Sequence, residues 1–277
     1  MPGFVEGGMA SAPGGGTVSA TAAAALVRPS SIALLDMNAG KLAGYSTVAK
    51  FGRNDDVGTG AYEDIWVNGG TYNWLQAASA VRVKAGGNIA DDSGGAGAQK
   101  VMIAGLDENW MQVEEEVTLA GASASSPTTT TFIRVYRAYV TDAGAYTGSN
   151  TAAIVIETTG DVTVASIGAG LGQTQLGIYT VPAGKTAYLV RVFINVSQVG
   201  NKQVNVRMWQ RQNADDVTTP FASKRLVDIW DEVAGQVAVS HLSYPSFPAK
   251  TDVWFDAIAD TAASAVDVRF DMILVDD

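Results

Sequence analysis

Residues 185–211 read KTAYLVRVFINVSQVGNKQVNVRMWQR, and this stretch decides the fold class. Tyr188, Val190, Val192, Ile194 and Val196 fall on one face of an extended segment. Leu189, Arg191, Phe193 and Asn195 fall on the other. After a turn signal at Val199-Gly200-Asn201-Lys202, Val204, Val206 and Met208 alternate with Asn205, Arg207 and Trp209. A period of two residues belongs to β-strands, where successive side chains point to opposite faces. One apolar face and one wetted face per strand is what an antiparallel sandwich needs.

The same alternation recurs at the C-terminus. Val266, Val268, Phe270, Met272 and Leu274 interleave with Asp267, Arg269 and Asp271. Val181-Pro182-Ala183-Gly184-Lys185 reads as a turn between strands, because Pro and Gly supply its dihedrals. Ser243–Pro248 reads as a corner. About seven strands are expected from Gln175 to Val275, enough for one jelly-roll-like sandwich. Residues 44 to about 168 hold a second set of β-prone runs. They are Gly44–Phe51, Glu63–Val67, Tyr72–Leu75, Val81–Lys84, Lys100–Leu106, Gln112–Leu119, Thr131–Thr141 and Ala152–Ile156. Around the Gln112–Leu119 run, Met111, Val113, Val117 and Leu119 share a face whose one charge is Glu115. No helical period of ten residues or more is expected after residue 40.

Residues 1–43 differ. They are rich in Gly, Ala and Ser, and they carry two apolar patches, Ala22–Val27 and Ile32–Leu35 with Met37. Clustered Leu and Ile suit an arm that orders by docking on another subunit, more than they suit a free tail. The expected class is therefore all-β. An extended N-terminal arm (1–43) precedes two tandem antiparallel β-sandwiches (44–168 and 169–277), the second jelly-roll-like.

Composition excludes several chemistries. The chain has 277 residues, no Cys and one His, so disulfides, thiol chemistry and a Cys/His zinc site lack their residues. A Ser-His-Asp hydrolase would have to use His241, and no Gly-x-Ser-x-Gly elbow accompanies it. The net charge of −10 disfavours nucleic acid, which is bound through Lys and Arg. The longest weakly apolar stretch, Val18–Val27, falls short of the roughly 20 residues that cross a bilayer. The N-terminus has no basic region of a secretory signal.

Local motifs are weak. Gly184-Lys185-Thr186 resembles the end of a P-loop, but position 179 is Tyr and a strand follows. Gly168 and Gly170 fail as a dinucleotide fingerprint, since position 173 is Gln. The pairs Asp55-Asp56, Asp91-Asp92 and Asp215-Asp216 offer oxygen ligands without EF-hand spacing. No catalytic, cofactor-binding or metal-ligating residue is expected. The aromatics Trp66, Tyr72, Trp74, Trp110, Trp209, Trp230 and Trp254 suit core or subunit-interface anchors, and exposed ones can stack on sugars. Trp209 shares a face with Arg207 and Arg211, and Trp254 with Asp252 and Asp256. The interface candidates are Leu26, Val27, Leu34, Leu35, Met37, Trp209 and Trp254.

Several runs resemble virion structural proteins of tailed bacteriophages. They are Phe51–Val57 (FGRNDDV), Glu63–Trp66 (EDIW), Gly69–Tyr72 (GGTY), Phe132–Tyr139 (FIRVYRAY), Ala169–Thr174 (AGLGQT) and Ile178–Tyr188 (IYTVPAGKTAY). The resemblance spans roughly residues 45–275. It implies a non-enzymatic virion component. The capsid decoration (cement) or head-fibre type is the expected one, and the charge of −10 points it to the capsid exterior. The expected partners are the chain itself, as a trimer, and the major capsid protein, with no nucleic acid and no membrane. The competing expectation is a host-recognition or glycan-binding sandwich of a vertex or tail appendage, or a neck or tail component.

Overall fold

The computed structural model describes residues 30–86, 89–197, 203–261 and 263–277, with only the backbone described for residues 30–32. Two units are distinguished, residues 1–46 and 47–277. In the first, helix α1 spans Ser30–Asn38, inside the segment expected to be extended. Its end follows from Gly40, whose φ of 67° places it in the left-handed region. The Lys41 N–H donates to the Asp36 carbonyl and the Gly40 N–H to that of Met37. This double bond pattern closes helices at a glycine.

The second unit is all-β. Its larger sandwich uses eight main strands: β1 (Tyr45–Val57), β10 (Ile178–Thr180), β11 (Lys185–Val196), β12 (Val204–Arg211), β13 (Arg225–Val233), β14 (Gln236–Ser240), β16 (Asp252–Ala259) and β17 (Ser264–Asp276). Sheet A runs β1-β17-β11-β14, and sheet B runs β10-β16-β12-β13. Two short strands join them: β2 (Glu63–Asp64) pairs with β16, and β15 (Ser246–Phe247) pairs with β11.

Counted among the eight, first neighbours eighth, second seventh, third sixth and fourth fifth. That nesting is a long two-stranded ribbon rolled into two sheets, the jelly roll. The expected jelly roll is present, but its first strand comes from residues 45–57 rather than from after 169. The sheets therefore divide the chain differently from its linear order. The Val181–Lys185 turn crosses from sheet B to sheet A instead of closing a hairpin. Of the Val199–Lys202 turn, residues 199–202 lie outside the described residues.

The second sandwich is inserted between the jelly roll's first and second strands. One of its sheets runs β6 (Thr131–Phe132), β3 (Ser79–Ala85), β8 (Ile154–Thr158) and β9 (Thr163–Ile167). The other runs β5 (Gln112–Thr118), β4 (Ala98–Leu106) and β7 (Arg134–Ala143). Val81, Val83, Val101, Ile103, Phe132, Ile154 and Ile156 are fully buried between them. Glu115, the charge on the apolar face of β5, accepts the N–H groups of Thr129 and Thr130 at 2.8 Å each.

The jelly-roll core joins both sheets. Val266, Val268, Phe270, Met272 and Leu274 of β17 face Val204, Val206 and Met208 of β12, with Phe255 of β16 between Phe270 and Trp230. Strand β11 departs from its simple alternation. Val192, Ile194 and Val196 are buried as expected, but further up the strand Ala187 and Leu189 are buried while Tyr188 and Val190 are not. The register against β17 shifts between Leu189 and Arg191. An extra residue at such a bulge moves every following side chain to the opposite face.

Two glycines permit a close crossing. The Leu176 N–H donates to the Phe51 carbonyl and the Gly177 N–H to that of Ile65. A Cβ on Gly52 would lie 2.2 Å from the Gly177 nitrogen. Tyr72–Leu75, expected as a strand, pairs with no strand among the described residues. It places Tyr72 and Trp74 against the outer face of sheet B.

Candidate functional site

The outer face of sheet B carries the densest grouping of chemically capable side chains. Strands β12 and β16 run antiparallel there, in a register that opposes Arg207 to Asp256, Trp209 to Trp254 and Arg211 to Asp252. Each carries three outward residues in the order charge, aromatic, charge. Opposite charges facing each other across strands stabilise the pairing. Arg207 grips Asp256 with two nitrogens, at 2.9 and 2.6 Å. Arg211 reaches Asp252 at 2.7 Å.

Residues 62–75 lie against this face. Trp66 and Tyr72 meet edge-to-face at 5.3 Å, Tyr72 and Trp74 at 4.9 Å, and Trp74 and Trp254 at 5.3 Å. Trp209 stacks on Trp254 at 6.4 Å. The segment is held by two acids. Glu63 accepts the N–H groups of Gly58 and Gly70 at 3.0 Å each. Burial pushes its carboxyl up, but these two donors and Asn54 hold it below its usual value. Asp64 accepts the Tyr72 N–H at 2.7 Å. Burial pushes Asp64 up to about 6, with the nearby Asp256 charge adding to the effect against the Tyr72 N–H.

Between them is a cleft of about 410 Å³ lined by Tyr62, Asp64, Thr71, Trp74, Trp254 and Asp256 and by three cations, Arg207, Arg211 and Lys224. That volume lies within the ~300–1,000 Å³ range of small-ligand sites. The Arg207 guanidinium lies 3.2 Å from the centre of the Tyr62 ring and 4.8 Å from that of Trp209. The Lys224 ammonium lies 4.4 Å from the Trp209 ring.

Beneath the cleft, Arg134 of the inserted sandwich enters the jelly roll. It is 2% exposed and its partner Asp252 is fully buried. Its Nε and Nη2 donate to the two Asp252 oxygens at 2.9 and 3.0 Å. Its Nη1 donates to the carbonyls of Leu75 and Ile133. Thr180 donates to Asp252 at 2.7 Å. The Arg134 guanidinium lies 5.1 Å from the Trp74 ring centre and 5.0 Å from that of Trp110.

The interface candidates fall as follows. Leu26 and Val27 lie outside the described residues. Leu34 and Leu35 are exposed on α1 and Met37 is half-buried. Trp209 is half-buried beside the cleft, beneath Lys224. Trp254 is 7% exposed, because Trp74 and Trp209 of the same chain cover it. Two of the acidic pairs serve loops, while Asp55 and Asp56 lie in β1. Asp91 accepts the N–H groups of Ala98, Thr151 and Ala152, Asp215 pairs with Lys250, and Asp216 accepts from Thr218. No group of three or more His, Cys, Asp or Glu that could hold a metal ion is found among the described residues. The His241 backbone N–H donates to Val190.

Sequence reading missed Tyr62, Asp64, Arg134 and Lys224. The available signal was the complementarity of R-x-W-x-R at 207–211 and D-x-W-x-D at 252–256. Pairing these two runs antiparallel in register assembles the face.

No protein-family model matches the chain, and no curated protein matches it. Among solved structures, the chain is similar to infectious bursal disease virus, Gt strain, at 7% identity and a TM-score of 0.24, over 83% of this chain and 72% of that one. The Gx strain follows at 6% identity and a TM-score of 0.22, over 84% and 72%. The VP2 subviral particle of the same virus follows at 7% identity and a TM-score of 0.18, over 84% and 76%.

Proposed function

We propose that this chain is a non-enzymatic structural protein of a virus particle. Copies self-associate, as trimers, and bind the outside of the capsid through the major capsid protein, stabilising the shell. One observation carries this reading: the eight-strand jelly roll, an architecture of viral capsid domains. Its edge supports it. Strand β13 ends sheet B and exposes Leu226 and Ile229, with Val217 and Phe221 exposed before it. Leu226 lies opposite Trp209 and Ile229 opposite Arg207, so both extend the outer face of the sheet. Apolar residues on a free edge invite pairing with another chain.

A ligand that binds only the assembled lattice stabilises that lattice by mass action. Three-fold symmetry suits a local three-fold of a shell. The charge of −10 per copy suits the outside, since a surface lining the genome would repel it. The test is the copy number in purified particles, measured by quantitative densitometry against the major capsid protein. A number comparable with that of the capsid subunits is expected, and a number fit only for vertices or the tail refutes the decoration role. Deleting residues 1–40 should leave soluble oligomers that no longer load onto capsids. Loading by the truncated protein refutes the docking arm.

A further inference from the structure

We propose that the cleft on the outer face of sheet B binds an acidic pyranose, a six-membered sugar ring bearing a carboxylate. The ring packs against Trp209 and the carboxylate meets Lys224 and the guanidinium groups beside it.

Two observations carry this. The first is charge. On a chain of net −10, the cleft is lined by three cations and two carboxylates. Arg207 is engaged by Asp256, and Arg211 spends one nitrogen on Asp252. Lys224 is exposed and forms no hydrogen bond or ion pair among the described residues. An arriving carboxylate therefore finds donors not yet committed, and hydrogen bonds to charged groups are the stronger kind.

The second is the aromatic surface. Lys224 rests over the Trp209 ring, where a long exposed side chain can swing aside. The C–H face of a pyranose is apolar and matches an indole, while Asp64, Asp256 and Thr71 around the cleft can meet hydroxyl groups. A plain inorganic anion would use the cations alone.

The proposal stands on the cleft alone, so copy number in the particle and sugar binding are read independently. The experiment is saturation-transfer NMR with tryptophan-fluorescence titration of the full chain. The probes are glucuronate and N-acetylneuraminate, compared with glucose and with acetate. Both acidic sugars are expected to bind about tenfold more tightly than glucose or acetate, a difference of about 1.4 kcal/mol. Lys224→Gln, a change on an exposed side chain, is expected to erase that preference with an unchanged melting temperature. Trp209→Leu should weaken both sugars while leaving acetate unaffected. Absence of transfer from both acidic sugars at tens of millimolar overturns the proposal. So does acetate binding as well as glucuronate, or an unaltered preference in Lys224→Gln.

Discussion

Replacing Arg134 by Met should be among the most damaging single changes outside the apolar cores. Arg134 makes four hydrogen bonds, two to Asp252 and one each to the carbonyls of Leu75 and Ile133. Methionine fills much of the volume but supplies none of them. Asp252, fully buried, would keep Arg211 and Thr180 among its described partners. Removing one partner of a buried ion pair costs about 3–5 kcal/mol, because the other charge stays buried with its compensation reduced. At ~2–4 °C per kcal/mol for a chain of this size, the melting temperature should fall by about 6–20 °C. Asp252→Leu should cost a similar amount. Combining the two removes both charges, so the double variant should be more stable than the sum of the singles implies, by ~0.5–3 kcal/mol. Thermal and urea denaturation followed by tryptophan fluorescence measure all three. A fall below about 2 °C for Arg134→Met, less than a 1 kcal/mol loss would produce, refutes the reasoning. Strict additivity in the cycle also refutes it.

Lys50 is buried, donates to the Tyr136 carbonyl, and is lowered to about 7 by burial and then by the Arg137 charge. Below that pH both folded and unfolded chains hold its proton; between about 7 and 10.5 only the unfolded chain does. Wild type should therefore gain stability over Lys50→Met as pH rises through that window, and a flat difference in melting temperature would contradict it. Asp64 works in the opposite direction: raised from 3.8 to about 6, it favours the folded state at low pH and loses that contribution as pH rises through 6. Asp64→Asn should remove that trend from melting curves taken across the same range. Gly52→Ala drives a Cβ into the Gly177 backbone and should cost about 1–3 kcal/mol or more in urea unfolding. Leu226→Lys with Ile229→Lys should leave stability within about 0.5 kcal/mol while reducing the sedimentation coefficient, and an unchanged oligomer would clear the β13 edge of a role in self-association.

Much of the fold was legible because a strand with one buried face writes its geometry into the local pattern. The buried residues of β12 and β17 are those expected from alternation. Strand β11 shows the limit. Its alternation is equally clear, yet the bulge near Val190 reverses the buried face over part of its length, and nothing local signals the extra residue. The candidate site was half legible. Trp209 and Trp254 were singled out with their flanking charges, but as separate surface anchors. Each charge, aromatic, charge triplet is satisfied by the other, which depends on a register between strands about 45 residues apart.

By itself, the sequence determined the all-β class, the poverty in thiol and imidazole, the acidity and the strand faces, since each follows from composition or from neighbours two residues apart. Only the tertiary structure decided that β1 belongs to the jelly roll across the inserted sandwich. Only it joined Arg134 to Asp252, and gathered Tyr62, Lys224, Arg207, Arg211, Trp254 and Asp256 around one cleft. The physical reason is the range of the interactions. Burial periodicity is written along the chain, whereas pairing between distant strands is chosen by which arrangement satisfies buried charges and backbone groups together.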